Sequence, residues 1–240
     1  MSDSVSTSFL GRTLRRRSFL RVAGATAASS ALVLAGCGDD TPTPVVNTTS
    51  SLVFANSDLG VLNFAYLLEQ LEAAFYQKVV DNFPSDFTAE DKAACIDLRD
   101  HEVIHREFLK YALASNAYDV SLSTPLIFNF SSFTLTTRAG VYAAARTLED
   151  VGVAAYNGAG KLLTDPAYLK LLAKLASVEA RHAAFVREQV QPGSFAASDV
   201  ITATGPLAGL DTVKTPAEVA VLIAPFVPVP LVTDGLMTLS

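Results

Sequence analysis

The chain reads as an all-α protein: an antiparallel four-helix bundle with a long crossover between the second and third helices and a short C-terminal extension. Three observations predict this. Four segments between residues 57 and 191 carry apolar residues at helical spacing, the links inside each consecutive pair are short, and the second pair repeats the chemistry of the first. With 240 residues, half of them hydrophobic, the chain has enough material for one domain with a real core.

The first helix is predicted over residues 57–81, capped by Ser57 or Asp58, with Leu59, Leu62, Phe64, Ala65, Leu68, Leu71, Phe75 and Val79 apolar. The second spans 88–115 and opens Thr88-Ala89-Glu90-Asp91, close to a capping box. The third runs from Thr136 or Thr137 to Leu163. The fourth starts at Asp165-Pro166, with proline at the first helical position, and ends before Pro192-Gly193. The link 116–135 is too long for a simple reversal and predicts a crossover along the bundle, with Ser123-Thr124-Pro125 and Phe128-Asn129-Phe130 lying against a helical face. Residues 192–240 form an extension with one short helix from Pro216. Its apolar residues make it ordered and a candidate contact to a second copy (a homodimer) or to the membrane side.

The N-terminus is an address. Residues 1–36 hold five arginines and one acid, which leaves 13 basic against 23 acidic residues in the remainder, a balance of −10. That acidity argues against nucleic acid as a partner and fits attraction of cations. Arg16-Arg17-Ser18-Phe19-Leu20-Arg21, followed by a short apolar stretch, resembles a twin-arginine export signal. Leu34-Ala35-Gly36-Cys37 resembles a bacterial lipobox, which implies cleavage before Cys37 and a lipid on its sulfur; the plainer alternative is a cleaved signal in which Cys37 is incidental. Residues 37–56 read as a flexible tether. The expected location is the cell envelope or periplasm, with the membrane as partner through Cys37. Cys95, the other cysteine, has the apolar neighbours Ala93, Ala94 and Ile96 and is predicted to be buried and unreactive.

The chemistry lies in the repeat. Leu68-Glu69, followed by Tyr76, matches Leu148-Glu149, followed by Tyr156. Glu102-Val103-Ile104-His105 matches Glu179-Ala180-Arg181-His182. Glu and His three residues apart share one side of a helix, so both reach one centre. Carboxylates bridge cations, and neutral imidazole favours transition metals over calcium or magnesium. Four glutamates also balance two divalent charges. One Glu from each of two helices and Glu-x-x-His from the other two is the pattern of di-iron and di-manganese carboxylate bundles. The predicted ligands are therefore Glu69, Glu102, His105, Glu149, Glu179 and His182, and the predicted cofactor is two iron or manganese ions.

On these motifs, and on Leu62-Asn63-Phe64-Ala65-Tyr66-Leu67-Leu68-Glu69-Gln70-Leu71-Glu72-Ala73-Ala74-Phe75-Tyr76, the segment 57–191 resembles the ferritin-like superfamily. Within it, the segment is similar to exported bacterial ferritin-like domain proteins that include desiccation-related members. The two-histidine set is similar to bacterioferritin, rubrerythrin-type and manganese-catalase-type sites, and His182 argues against iron-storing ferritins. By this resemblance, Glu69 and His105 would be terminal on one metal, Glu149 and His182 on the other, and Glu102 and Glu179 would bridge. It implies a centre that reacts with oxygen or peroxide in oxidative or desiccation stress, of ferroxidase, peroxidase or catalase type. The alternatives are a metal-sequestering or structural stress protein, and a bundle without metal.

Other residues near the motif stay open. Glu72 is an extra ligand, a carboxylate on the metal's way in, or, as favoured here because its repeat partner is Gly152, a solvated acid. Tyr76 and Tyr156 are hydrogen-bond donors to the ligands or ordinary core tyrosines. His101 is expected at the surface or behind the ligands. Asp100, Glu107 and Asp150 are candidates to orient the imidazoles.

Overall fold

The computed structural model describes residues 51–236. The predicted export signal, Cys37 and most of the predicted tether lie outside the described residues. Four long helices form the body: α1 (Asp58–Asp81), α2 (Ala89–Leu113), α3 (Arg138–Ala159) and α4 (Pro166–Val190). Each starts where a side chain can satisfy amides that the first turn leaves without partners. Ser57 accepts from the Gly60 amide, Thr137 from Gly140 and Asp165 from Ala167, with Pro166 opening α4. Thr88 and Asp91 complete a reciprocal capping box.

Helix α1 is the most interior: Val61, Leu62, Tyr66, Leu67, Leu71, Phe75, Tyr76 and Val79 are all buried. A helix apolar on most sides must be surrounded, and α1 packs on both α2 and α3, while α3 packs on α4. The short links 82–88 and 160–165 turn the chain back within each pair.

The crossover begins with two 3-10 turns, Ala114–Asn116 and Tyr118–Ser121. Phe130 then rests on Phe75 with ring centroids 5.7 Å apart, and Phe133 stacks on Phe226 of the extension at 4.9 Å. Ser123, Thr124 and Pro125 are exposed, contrary to the expectation that they lie on a helical face; polar side chains gain nothing by burial there.

The extension carries α5 (Pro216–Ile223), capped by Thr215 and Glu218, with Val219 and Ile223 buried. It approaches α3 so closely that a Cβ on Gly158 would stand 1.9 Å from the Lys214 carbonyl oxygen. The end of the predicted tether is not a tether. Leu52–Val53 (β1) pairs in parallel with Leu231–Val232 (β2), and Phe54 packs edge-on to Phe64 at 5.2 Å. Among the described residues no helix is long and apolar enough to cross a membrane.

Candidate metal centre

The three-residue spacing in α2 and α4 places Glu102 with His105, and Glu179 with His182, toward the bundle axis. Glu69 and Glu149 come in from α1 and α3. All four glutamates are fully buried, and both histidines are 5 % exposed. His105 Nδ1 lies 2.7 Å from Glu179 Oε1, 3.3 Å from Glu69 Oε2 and 3.4 Å from Glu102 Oε2. His182 Nδ1 lies 2.6 Å from Glu102 Oε1, 3.7 Å from Glu179 Oε2 and 3.8 Å from Glu149 Oε2. The shortest contact of each histidine is thus with the glutamate of the other Glu-x-x-His helix, so α2 and α4 run antiparallel through the site.

A second exchange holds α1 against α3. The Tyr76 hydroxyl donates to Glu149 Oε1 at 2.6 Å, and the Tyr156 hydroxyl donates to Glu69 Oε1. Each tyrosine therefore serves the glutamate of the other half, an antiparallel register. Burial, then the charge of the glutamate it serves, raises each tyrosine far above its ordinary pKa, so both remain protonated donors.

What is left over points inward. Glu69 Oε2, Glu149 Oε2, both oxygens of Glu102 and of Glu179, and Nδ1 of both histidines are buried without a hydrogen-bond partner. The short histidine–carboxylate approaches lack hydrogen-bond alignment, as expected of atoms aimed at a common point rather than at one another. Uncompensated burial of this much charge costs several kcal/mol per ion, roughly. Ligand atoms from Glu69, Glu102, His105 and Glu179 lie within 4.8 Å of one another, as do those from Glu102, Glu149, Glu179 and His182. Glu102 and Glu179 belong to both groups. A nitrogen and carboxylate donor set of this kind fits metal ions, and transition metals in particular.

The electrostatics have the same source. Burial pushes the Glu69 and Glu149 carboxyls well above their usual range, and the neighbouring carboxylates add to it. Burial also opposes the charged form of His105 and His182, but the carboxylates around them win. His182 rises to about 11 and His105 rises further. Glu102, between the two imidazoles, is held down at about 2 despite its burial.

His101 is exposed, and its Nδ1 meets His182 Nε2 at 2.9 Å, behind the ligand atom. A groove of about 240 Å³ beside it is lined by Ala94, Leu98, Val178 and Phe185 among others. Asp100, Glu107 and Asp150 do not orient the imidazoles as their spacing allowed: they hold Arg99, Arg106 and Arg187, because an arginine one position earlier on the same helix, or on the facing helix, lies within ion-pair reach. Glu72 corrects the sequence reading outright. It is 2 % exposed, not solvated, and its Oε2 has no hydrogen-bond partner. The signal was its pairing with a glycine in the repeat, which leaves room opposite. Cys95 is fully buried and its thiol is pushed up to about 12 by burial, in keeping with an unreactive core residue.

A family model described as a ferritin-like domain matches residues 57–192. The chain belongs to the ferritin-like domain family. Its matched span covers all four bundle helices and every residue of the buried cluster, and ends just past α4. No curated protein matches the chain.

Proposed function

We propose that the bundle binds two iron or manganese ions and reacts with oxygen or peroxide. In this reading Glu69 and His105 would hold one ion, Glu149 and His182 the other, and Glu102 and Glu179 would be shared between them. The observation that carries it is the set of orphaned buried atoms, which the two overlapping groups divide into two tetrads with Glu102 and Glu179 common to both. Bound metals would supply redox equivalents and Lewis acidity.

The protein's own part is positioning. Tyr76 and Tyr156 occupy one oxygen of Glu149 and of Glu69, which turns the other inward. With Nδ1 of His182 committed to a metal, its Nε2–H donates to His101 Nδ1 and fixes the ring plane. The apolar surroundings of α1 and α3 keep bulk water from the carboxylates. The twin-arginine-like leader and Cys37 extend the proposal to an exported, membrane-anchored protein working against oxidative or desiccation stress.

The test is anaerobic loading of the full chain with ferrous or manganous ion, followed by absorbance when oxygen or peroxide is added. The expected result is about two ions per chain and consumption of the oxidant. Binding of fewer than about one ion would overturn the site, and tight binding with no oxidant consumed would assign sequestration instead. Glu149→Ala and His182→Ala should each weaken one ion preferentially; equal loss of both ions would contradict these assignments.

A further inference from the structure

Every acid of the six-residue set has a counterpart in the other half of the chain, and Glu72 has none. It lies one turn beyond Glu69 on α1, and the position that repeats it on α3 is Gly152. The two face each other: a Cβ on Gly152 would stand 2.7 Å from Glu72 Oε1. One half thus supplies a carboxylate where the other half has removed a side chain.

We propose that Glu72 is a further carboxylate ligand of the metal centre, admitted by Gly152. This rests on the dimetal reading above and adds to it a fifth carboxylate. Glu72 is as buried as the ligands, and its Oε2 is orphaned in the same way. The charged groups that act on it most strongly are Glu179, Glu102, Glu149 and Glu69, all acceptors. A buried acid held for structural reasons is found against an arginine, a tyrosine or a backbone amide, as Asp91 is here. Glu72 instead is buried in the field of four other carboxylates, and a cation among them is what would make its burial favourable.

Glu72 stands outside the two groups of four, so it makes its bond by moving its carboxylate, and the missing side chain at position 152 leaves it free to do so. Charge gives the site a use for it. Four glutamates balance two divalent ions, and a fifth matches a centre that has lost one electron. Glu72 therefore favours the oxidised centre and makes the two halves of the site unequal.

The experiment compares wild type, Glu72→Gln, Gly152→Ala and the double variant as full chains. It uses manganous and ferrous ion alone as probes, with titration calorimetry for affinity and paramagnetic resonance for the ligand field. Glu72→Gln should weaken one ion by at least about tenfold, change its spectrum and make the loaded centre easier to reduce. Gly152→Ala crowds the carboxylate and should shift affinity and spectrum in the same direction, and the double variant should add nothing to Glu72→Gln. Gly152→Ala keeps the glutamate and decides the question alone where Glu72→Gln does not fold. Unchanged affinity and spectrum in a folded Glu72→Gln or Gly152→Ala variant would overturn the inference and leave the dimetal reading standing. Failure of the wild type to bind either ion would overturn the dimetal reading itself.

Discussion

Replacing Asp91 by asparagine should cost about 2 kcal/mol at neutral pH and leave the candidate metal centre intact. Asp91 joins the start of α2 to the start of α3. Its carboxylate accepts from the Thr88 amide and hydroxyl at 3.0 Å, from Arg138 Nε at 2.9 Å and from the Tyr142 hydroxyl at 2.9 Å. Burial works against its charge, but these donors, Arg138 foremost, bring it from 3.8 down to about 2. A displacement of that size corresponds to about 2 kcal/mol of preference for the ionised form in the folded state. A direct count agrees: a helix cap contributes about 1 kcal/mol and a hydrogen bond to a charged group about 1.5 kcal/mol or more, less what the neutral amide still supplies. For a body of this size the loss amounts to roughly 4–8 °C in Tm.

The pH dependence provides the refutation. The folded-state value lies below the unfolded one, so the stabilisation is full above about pH 4 and fades as the pH falls toward about 2. Thermal unfolding of wild type and Asp91→Asn should therefore differ at pH 7 and converge as the acid is titrated. A gap that persists undiminished at the acid end would mean that shape, not charge, is what Asp91 supplies. No gap at pH 7 would mean that the clamp contributes nothing. Metal stoichiometry should be the same in both proteins.

Three further substitutions probe the packing of the bundle. Tyr76→Phe and Tyr156→Phe each leave a buried glutamate oxygen without its donor, at a cost of about 1–3 kcal/mol in denaturant unfolding; no measurable loss in either would show that the glutamates are held by something else. Gly158→Ala places a methyl group against the Lys214 carbonyl, 1.9 Å away before relaxation, and the backbone there must yield. It should destabilise by about 1–3 kcal/mol and speed proteolysis within residues 205–214, whereas wild-type resistance would show that the extension adapts freely.

Local chemistry was legible in the sequence. Ser57, Thr88, Thr137 and Asp165 mark the observed helix starts, because a cap works through amides two or three residues away. The convergence of Glu69, Glu102, His105, Glu149, Glu179 and His182 was legible too, because a repeat with fixed spacing constrains four helices at once. What depended on distant partners was not. Residues 52–54 follow a stretch of Thr, Pro, Asn and Ser and look like its continuation until Leu231 and Val232 arrive beside them. Glu72 looks like a surface acid from α1 alone, and only the bare face of α3 at Gly152 makes it interior. Asp150 could have served an imidazole or an arginine equally well by spacing, and the docking of Arg187 decided it.

The exchanged partners have a consequence for how such a chain can change. Tyr76 serves the glutamate of the second half and Tyr156 that of the first, while each histidine has its shortest contact with the opposite half's carboxylate. Neither half is self-sufficient. A chain of α1 and α2 alone would hold its glutamate without a tyrosine and its histidine without that carboxylate, and could complete the set only by meeting a second copy across a two-fold axis. A single chain that carries both halves has no such concentration dependence, and its halves can differ: the glutamate at 72 facing a glycine at 152 is a difference that two identical halves could not carry.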